Sequence, residues 1–211
     1  FSEQLIAILS LPLTKLLLEG LQKFVSNYPV MAPTIRKRMI PLITPILCDD
    51  INKRQVLMIN TLETMLFMKY VKDEISLGIL TQYSRLLSVD NLLLNEKIAD
   101  LLLYFQDDFP ILRFRLLSFI SCSTFDELRL TVLRRLNYSH ELCYIFKSLL
   151  NDRNPKLALE TIRVLCEHME EETIRDFLND SIQRFPIYDS TRYRHLIKMY
   201  LLIAHKFLYL F

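Results

Sequence analysis

The side chains able to do covalent or acid–base chemistry are few and scattered. Ser139, His140 and Cys143 lie close together and are the types from which a nucleophile and its base are built. Such a pair needs a fold that aims the base and places donors for an oxyanion, and nothing near them marks either. A serine ahead of a helix, followed by a half-exposed histidine, is accounted for by capping. The paired acids Asp49-Asp50 and Asp107-Asp108 and the run Glu170-Glu171-Glu172 resemble general acid–base pairs in type. Each falls at a predicted helix start, where negative charge offsets the helix dipole. His168 and His195 belong to different predicted helices, no H-E-x-x-H occurs, and Cys48, Cys122, Cys143 and Cys166 form no C-x-x-C pair, so no ligand set has metal-site spacing. With only two glycines, Gly20 and Gly78, there is no Gly-rich phosphate loop. The chain reads as non-enzymatic, with no metal, cofactor or small-molecule substrate.

What remains is side chains suited to holding another macromolecule. Basic residues recur as Arg36-Lys37-Arg38, Lys53-Arg54, Arg113 with Arg115, Arg134-Arg135 and Arg192 with Arg194, each by itself ordinary solvated surface. Formal net charge is only +2, whereas nucleic-acid binding draws most of its affinity from a basic stripe; direct RNA contact is not expected. The aromatics, among them Tyr28, Tyr83, Tyr104 and Tyr144, have core spacing rather than the interleaving with basic residues of a base-stacking platform. The partner-binding candidates are Arg134, Arg163 and Lys198, expected to converge on one face for an acidic protein partner, and Phe207 and Phe211, where an uncovered repeat end and a partner site are both open readings.

These side chains must be positioned by helices. Hydrophobic residues make up 51% and charged residues 24%, a globular rather than disordered balance. No strand-like alternation with hairpin punctuation occurs. The clearest unit runs from Ser139 to Phe185: a short helix, a polar turn at Asn151-Asp152-Arg153-Asn154-Pro155, a second helix, a brief break and a third. Asn154 is placed to cap and Pro155 to open the second helix, whose Ala158, Ile162, Leu165, Cys166 and Met169 share one face while Lys156, Glu160, Arg163 and Glu167 share the other.

Upstream, Ser2 to Leu9 reads as the tail of a helix, and Leu13, Leu16, Leu17, Leu21, Phe24 and Val25 as the stripe of the next. Pro41 and Pro45 predict a kinked or split helix over about Pro33 to Leu47. Val56, Ile59, Leu62 and Leu66 are the predicted stripe of the helix that follows. Another is predicted from about Val71 to Leu87, with Gly78 explained by close approach of a neighbour. Leu94, Ile98, Leu101, Leu102 and Phe105 form the next stripe, then Leu112, Leu116, Leu117, Phe119 and Ile120. Thr124 with Glu127 predicts a capping box ahead of Leu128, Val132, Leu133 and Leu136, and Asp189-Ser190 caps a last long helix. Its apolar window, Leu196 to Phe211, is broken by Lys198, His205 and Lys206 and falls short of a membrane span.

Helical pairs beginning near Pro33, Val71, Phe109, Ser139 and Glu171 recur at about 30 to 40 residues, the range of helical solenoids. The run L-L-N-D-R-N-P-K-L-A-L-E-T-I-R-V-L, Leu149 to Leu165, resembles the turn and second helix of a HEAT repeat. The expected architecture is a HEAT/ARM-like helical-hairpin solenoid of about ten to twelve helices. It is expected to be one domain over 1–211, less regular over 1–48 and more regular over 49–211. The start at Phe1 and the apolar end suggest a piece of a longer protein, and the unpaired cysteines a reducing intracellular compartment.

Over roughly its second half the chain resembles the C-terminal half of the symplekin family. The resemblance is carried by F-P-I-L-R-F-R-L-L-S-F-I (Phe109–Ile120), T-V-L-R-R-L (Thr131–Leu136), S-L-L-N-D-R-N-P-K (Ser148–Lys156), E-E-E-T-I-R-D-F-L-N-D-S-I-Q-R-F (Glu170–Phe185) and H-L-I-K-M-Y-L-L-I-A (His195–Ala204). It implies a nuclear, non-catalytic scaffold of pre-mRNA 3′-end processing, whose partners are the cleavage and polyadenylation endonuclease pair and a cleavage-stimulation subunit. The alternative is a HEAT-repeat scaffold of another assembly, a nuclear transport receptor or a vesicle-coat adaptin trunk; a transport receptor is expected to be more acidic.

Overall fold

The computed structural model describes residues 14–48, 51–182 and 190–208. Among these residues there are eleven α-helices and no strand, so the chain is all-helical. It divides into two compact units, Phe1–Leu112 and Arg113–Phe211.

The first unit holds α1 (Lys15–Asn27), α2 (Ala32–Cys48), α3 (Ile51–Met68), α4 (Leu77–Ser84) and α5 (Leu92–Tyr104). Three of them start on side-chain caps: Thr14, Ser76 and Asn91 accept from the amides of Leu17, Ile79 and Leu94, satisfying donors that have no partner within the helix. α3 packs against both α1 and α5 and against α2. Gln22 Nε2 donates to Thr64 Oγ1 at 2.8 Å. Asn91 Nδ2 donates to Gln55 Oε1 at 2.6 Å, and Lys97 Nζ lies 3.3 Å from Glu63. Those last two contacts advance together along both helices, so α3 and α5 run in the same direction. Leu18, Ile35, Met39, Met58, Leu62 and Ile98 are fully buried among them.

The second unit holds α7 (Asp126–Arg135), α8 (Cys143–Leu149), α9 (Pro155–His168), α10 (Glu171–Ile182), α11 (Ser190–Leu208) and most of α6 (Ile111–Cys122). α9 packs against α7, α8, α10 and α11. It opens as the residue types dictate: Asn154 Oδ1 accepts from the Lys156 amide and Pro155 is the first helical residue. Lys156 Nζ lies 3.4 Å from Glu127 and Arg134 Nη2 3.4 Å from Glu160, so α7 and α9 also run in the same direction. The acids of the first turn of α7, Asp126 and Glu127, and the bases of its last, Arg134 and Arg135, complement its dipole.

Each unit therefore has a row of alternate helices in contact, α1–α3–α5 and α7–α9–α11. The predicted stripes of α5, α6 and α7 are buried throughout, as are Ala158, Ile162, Leu165 and Cys166 of α9.

Several local expectations are corrected. α2 is not split: it is one helix from Ala32 to Cys48, through Pro41 and Pro45. Pro41 and Lys37, the residue whose carbonyl loses its partner, are both exposed, where the missing bond costs less than it would in a core. Leu16 points outward and Leu18 takes its place in the core of α1. In α3 the buried face is Met58, Thr61, Leu62, Thr64, Met65 and Met68, while Val56 is 68% exposed and Ile59 and Leu66 are half-buried. The helix predicted from Val71 begins only at Leu77. Lys69 adopts a left-handed φ of 51° and Arg36 holds the Glu74 carboxylate at 2.5 and 2.8 Å, which keeps the intervening chain out of helix. Gly78 consequently sits in the first turn, and a Cβ there would meet only Ser76 Oγ at 3.8 Å, so no close neighbour explains it. Thr124 does not cap α7, whose N-cap is Phe125; Ser123 Oγ accepts the Phe125 amide instead. Of the four tyrosines expected in the core only Tyr83 is buried; Tyr28, Tyr104 and Tyr144 are exposed. The readings at Ser2–Leu9, Leu13 and Asp49-Asp50, the Asp189 cap, and Phe211 lie outside the described residues.

Candidate partner-binding surfaces

Ser139, His140 and Cys143 form no nucleophilic site. Ser139 precedes a short 3-10 turn, His140–Leu142, and its side chain makes no capping bond; the backbone carbonyl accepts from the Leu142 amide at 2.9 Å. His140 is exposed while Cys143 is buried, and burial raises the Cys143 thiol against the lowering effect of Lys147. Cys166 is pushed up to about 11, chiefly by burial and opposed by Lys206. Both thiols hold their protons at neutral pH and are packing groups. His168 lies flat on Tyr138, ring centroids 4.7 Å apart. Among the described residues no three His, Cys, Asp or Glu side chains are placed to hold a metal ion.

One polar pocket of about 290 Å³ in the second unit is lined by Cys122, Ser123, Arg129, Asn151, Asp152 and Arg153 among others. It surrounds a group that sequence reasoning missed. Arg129 has a side chain only 2% exposed, yet every arm of its guanidinium is used: Nε donates to the Ile120 carbonyl at 2.5 Å, Nη1 to Asp126 at 2.8 Å and Nη2 to the Asp152 carboxylate. The other oxygen of Asp152 accepts the Asn154 amide at 2.8 Å. The pocket's charges are thus spent on joining the start of α7 to the turn before α9. The signal was present: Arg129 falls between Leu128 and Val132 on a stripe otherwise buried, where an unpaired cation is too costly to stand alone.

The basic candidates divide. Arg134 of α7 and Arg163 of α9 both approach Glu160, at 3.4 and 3.6 Å. The structure brings these two together around one shared, mostly buried carboxylate, which offsets part of their charge. Lys198 is exposed on α11, and no ion pair or hydrogen bond joins it to that pair. On the same helix Met199 and Ile203 are buried, Phe207 is half-buried, and Ile197 and Leu201 are 57% and 62% exposed. Tyr200 donates to Asn179 Oδ1 of α10 at 2.8 Å. The exposed aliphatic pair was not singled out from the sequence, although the two residues stand four apart, on one face of a helix.

Among the described residues no helix is long and apolar enough to cross a membrane. No family model matches the chain, and no curated protein and no solved structure matches it.

Proposed function

We propose that this chain is a non-catalytic, protein-binding scaffold built from HEAT-like helical hairpins, serving the nuclear pre-mRNA cleavage and polyadenylation machinery in the manner of symplekin. The observation that carries the scaffold reading is the stacking of alternate helices running in the same direction, α3 with α5 and α7 with α9. Repeated hairpins stacked side by side produce that relationship, because each second helix must bury its apolar face on the second helix of the next repeat. Such scaffolds work by presenting surface, which agrees with side chains whose ionisable groups are used in capping, packing and ion pairs. The assignment to 3′-end processing rests on the sequence resemblance from about Phe109 to Phe207.

The test is isolation of the tagged full-length protein from nuclear extract at near-physiological salt, followed by identification of stoichiometric partners. The endonuclease pair and a cleavage-stimulation subunit are the expected partners. Recovery of transport cargo or coat subunits in their place overturns the assignment to 3′-end processing, and a chain that sediments alone overturns the scaffold.

A further inference from the structure

The helix α11 is sided in an unusual way. Met199 and Ile203 face the unit's interior and Tyr200 reaches α10. At 100° per residue, the opposite side is a stripe made by Arg194, Ile197, Lys198, Leu201 and His205, all five exposed. Two large aliphatic side chains, one turn apart, are flanked by two cations. The whole of Ser190–Leu208 contains no aspartate or glutamate, so the stripe carries no internal counter-charge.

We infer that this stripe docks an acidic amphipathic helix of a partner protein, with Ile197 and Leu201 as the apolar anchors and Arg194 and Lys198 meeting carboxylates at the rim. The inference rests on the scaffold reading above and names the chemistry of one partner. A partner helix with leucines three and four residues apart matches the spacing of the pair, and flanking carboxylates match its charge. A second copy of this chain does not fit, because apposing two such helices places like charges against each other. A bilayer surface fits less well. Insertion wants a broad apolar face, and on α11 Met199 and Ile203 are buried and Leu202 and Phe207 half-buried.

The probe is a synthetic, fluorophore-labelled helical peptide with leucines at i, i+3, i+4 and i+7 and glutamates on either flank, titrated with the protein by anisotropy. Saturable binding is expected, weakened at least about tenfold by Ile197→Ala with Leu201→Ala and again by Arg194→Glu with Lys198→Glu. All four positions are exposed, and far-UV circular dichroism checks that the variants stay folded. A charge-reversed peptide with lysine for glutamate should not bind. No saturable binding of the acidic peptide, equal binding of the reversed peptide, or binding unchanged in both double variants overturns the proposal. So does a preference of the stripe for anionic phosphatidylserine vesicles, or stripe-dependent self-association in sedimentation. If the variants abolish nothing while full-length protein still recovers its partner subunits, this surface is excluded and the scaffold stands. If no partner subunits are recovered, the scaffold reading itself fails.

Discussion

Arg129 and Asp152, 23 residues apart in the chain, meet through a charge-assisted hydrogen bond from a guanidinium only 2% exposed to a carboxylate only 10% exposed. This contact closes the turn that opens α9, the helix against which four others of its unit pack. The polar turn at Asn151–Pro155 is therefore a joint held from outside as well as a local helix start.

Removing Asp152 leaves the buried Arg129 with only the half-exposed Asp126 carboxylate and the Ile120 carbonyl as partners. Asp152→Ala is expected to destabilise the second unit by about 1.5–3 kcal/mol, whereas Arg129→Met combined with Asp152→Ala recovers part of that loss. Urea unfolding of the two single variants and the double variant closes the cycle. Equal, additive losses would show that the two groups do not act as a pair.

The glycines give a prediction of opposite sign. Gly20 lies inside α1, where an added Cβ would have nothing within 4 Å, and at Gly78 it would meet only Ser76 Oγ at 3.8 Å; neither has a positive φ. Gly20→Ala should raise stability by about 0.5–1 kcal/mol, with a smaller gain for Gly78→Ala in the first turn. Thermal melts of the two variants measure both.

The register of α3 is tested by substitution on its two sides. Met58→Ala should cost about 2–5 kcal/mol because it empties a fully buried site. Val56→Ala, at an exposed position, should change stability by no more than about 0.5 kcal/mol. A reversal of that order would put the other face in the core.

The thiols should separate by reactivity and by pH. Cys122 is exposed while Cys143 and Cys166 are buried, so a maleimide should label Cys122 in the native protein and reach the other two only on unfolding, read by peptide mass spectrometry. Cys166 ionises near 9 when unfolded and near 11 when folded. Between those values the unfolded chain has released the proton and the folded chain has kept it. Its contribution is therefore fully present below pH 9 and lost as pH rises toward 11, with a limiting slope of about 1.4 kcal/mol per pH unit. Cys166→Ala should flatten that part of the stability profile.

Much of the local plan was legible because its causes are local. Asn154 and Pro155 start α9 through one side-chain acceptor and one fixed φ, and both are adjacent in sequence to the helix they open. The stripe of α9 was legible because its apolar residues keep to one face and its charged residues to the other. α3 was not, since Val56, Met58, Ile59, Leu62, Met65 and Leu66 surround much of its circumference. Periodicity then gives the helix without saying which side its neighbours cover. The candidate surface was legible in type only: Arg134, Arg163 and Lys198 were singled out as cations, with no sign that Glu160 would join the first two.

By itself the sequence determined that the chain is helical, where most of its helices begin, and that Glu171 and Glu172 sit at a helix start, because propensity, capping and proline geometry act within a few residues. Tertiary structure alone decided that Arg129 is a buried joint, that Met58 rather than Val56 is core, and that Ile197 and Leu201 stand exposed. Each of these depends on which helix arrives from far along the chain, and burial, desolvation and ion pairing are set by that neighbour rather than by the residue.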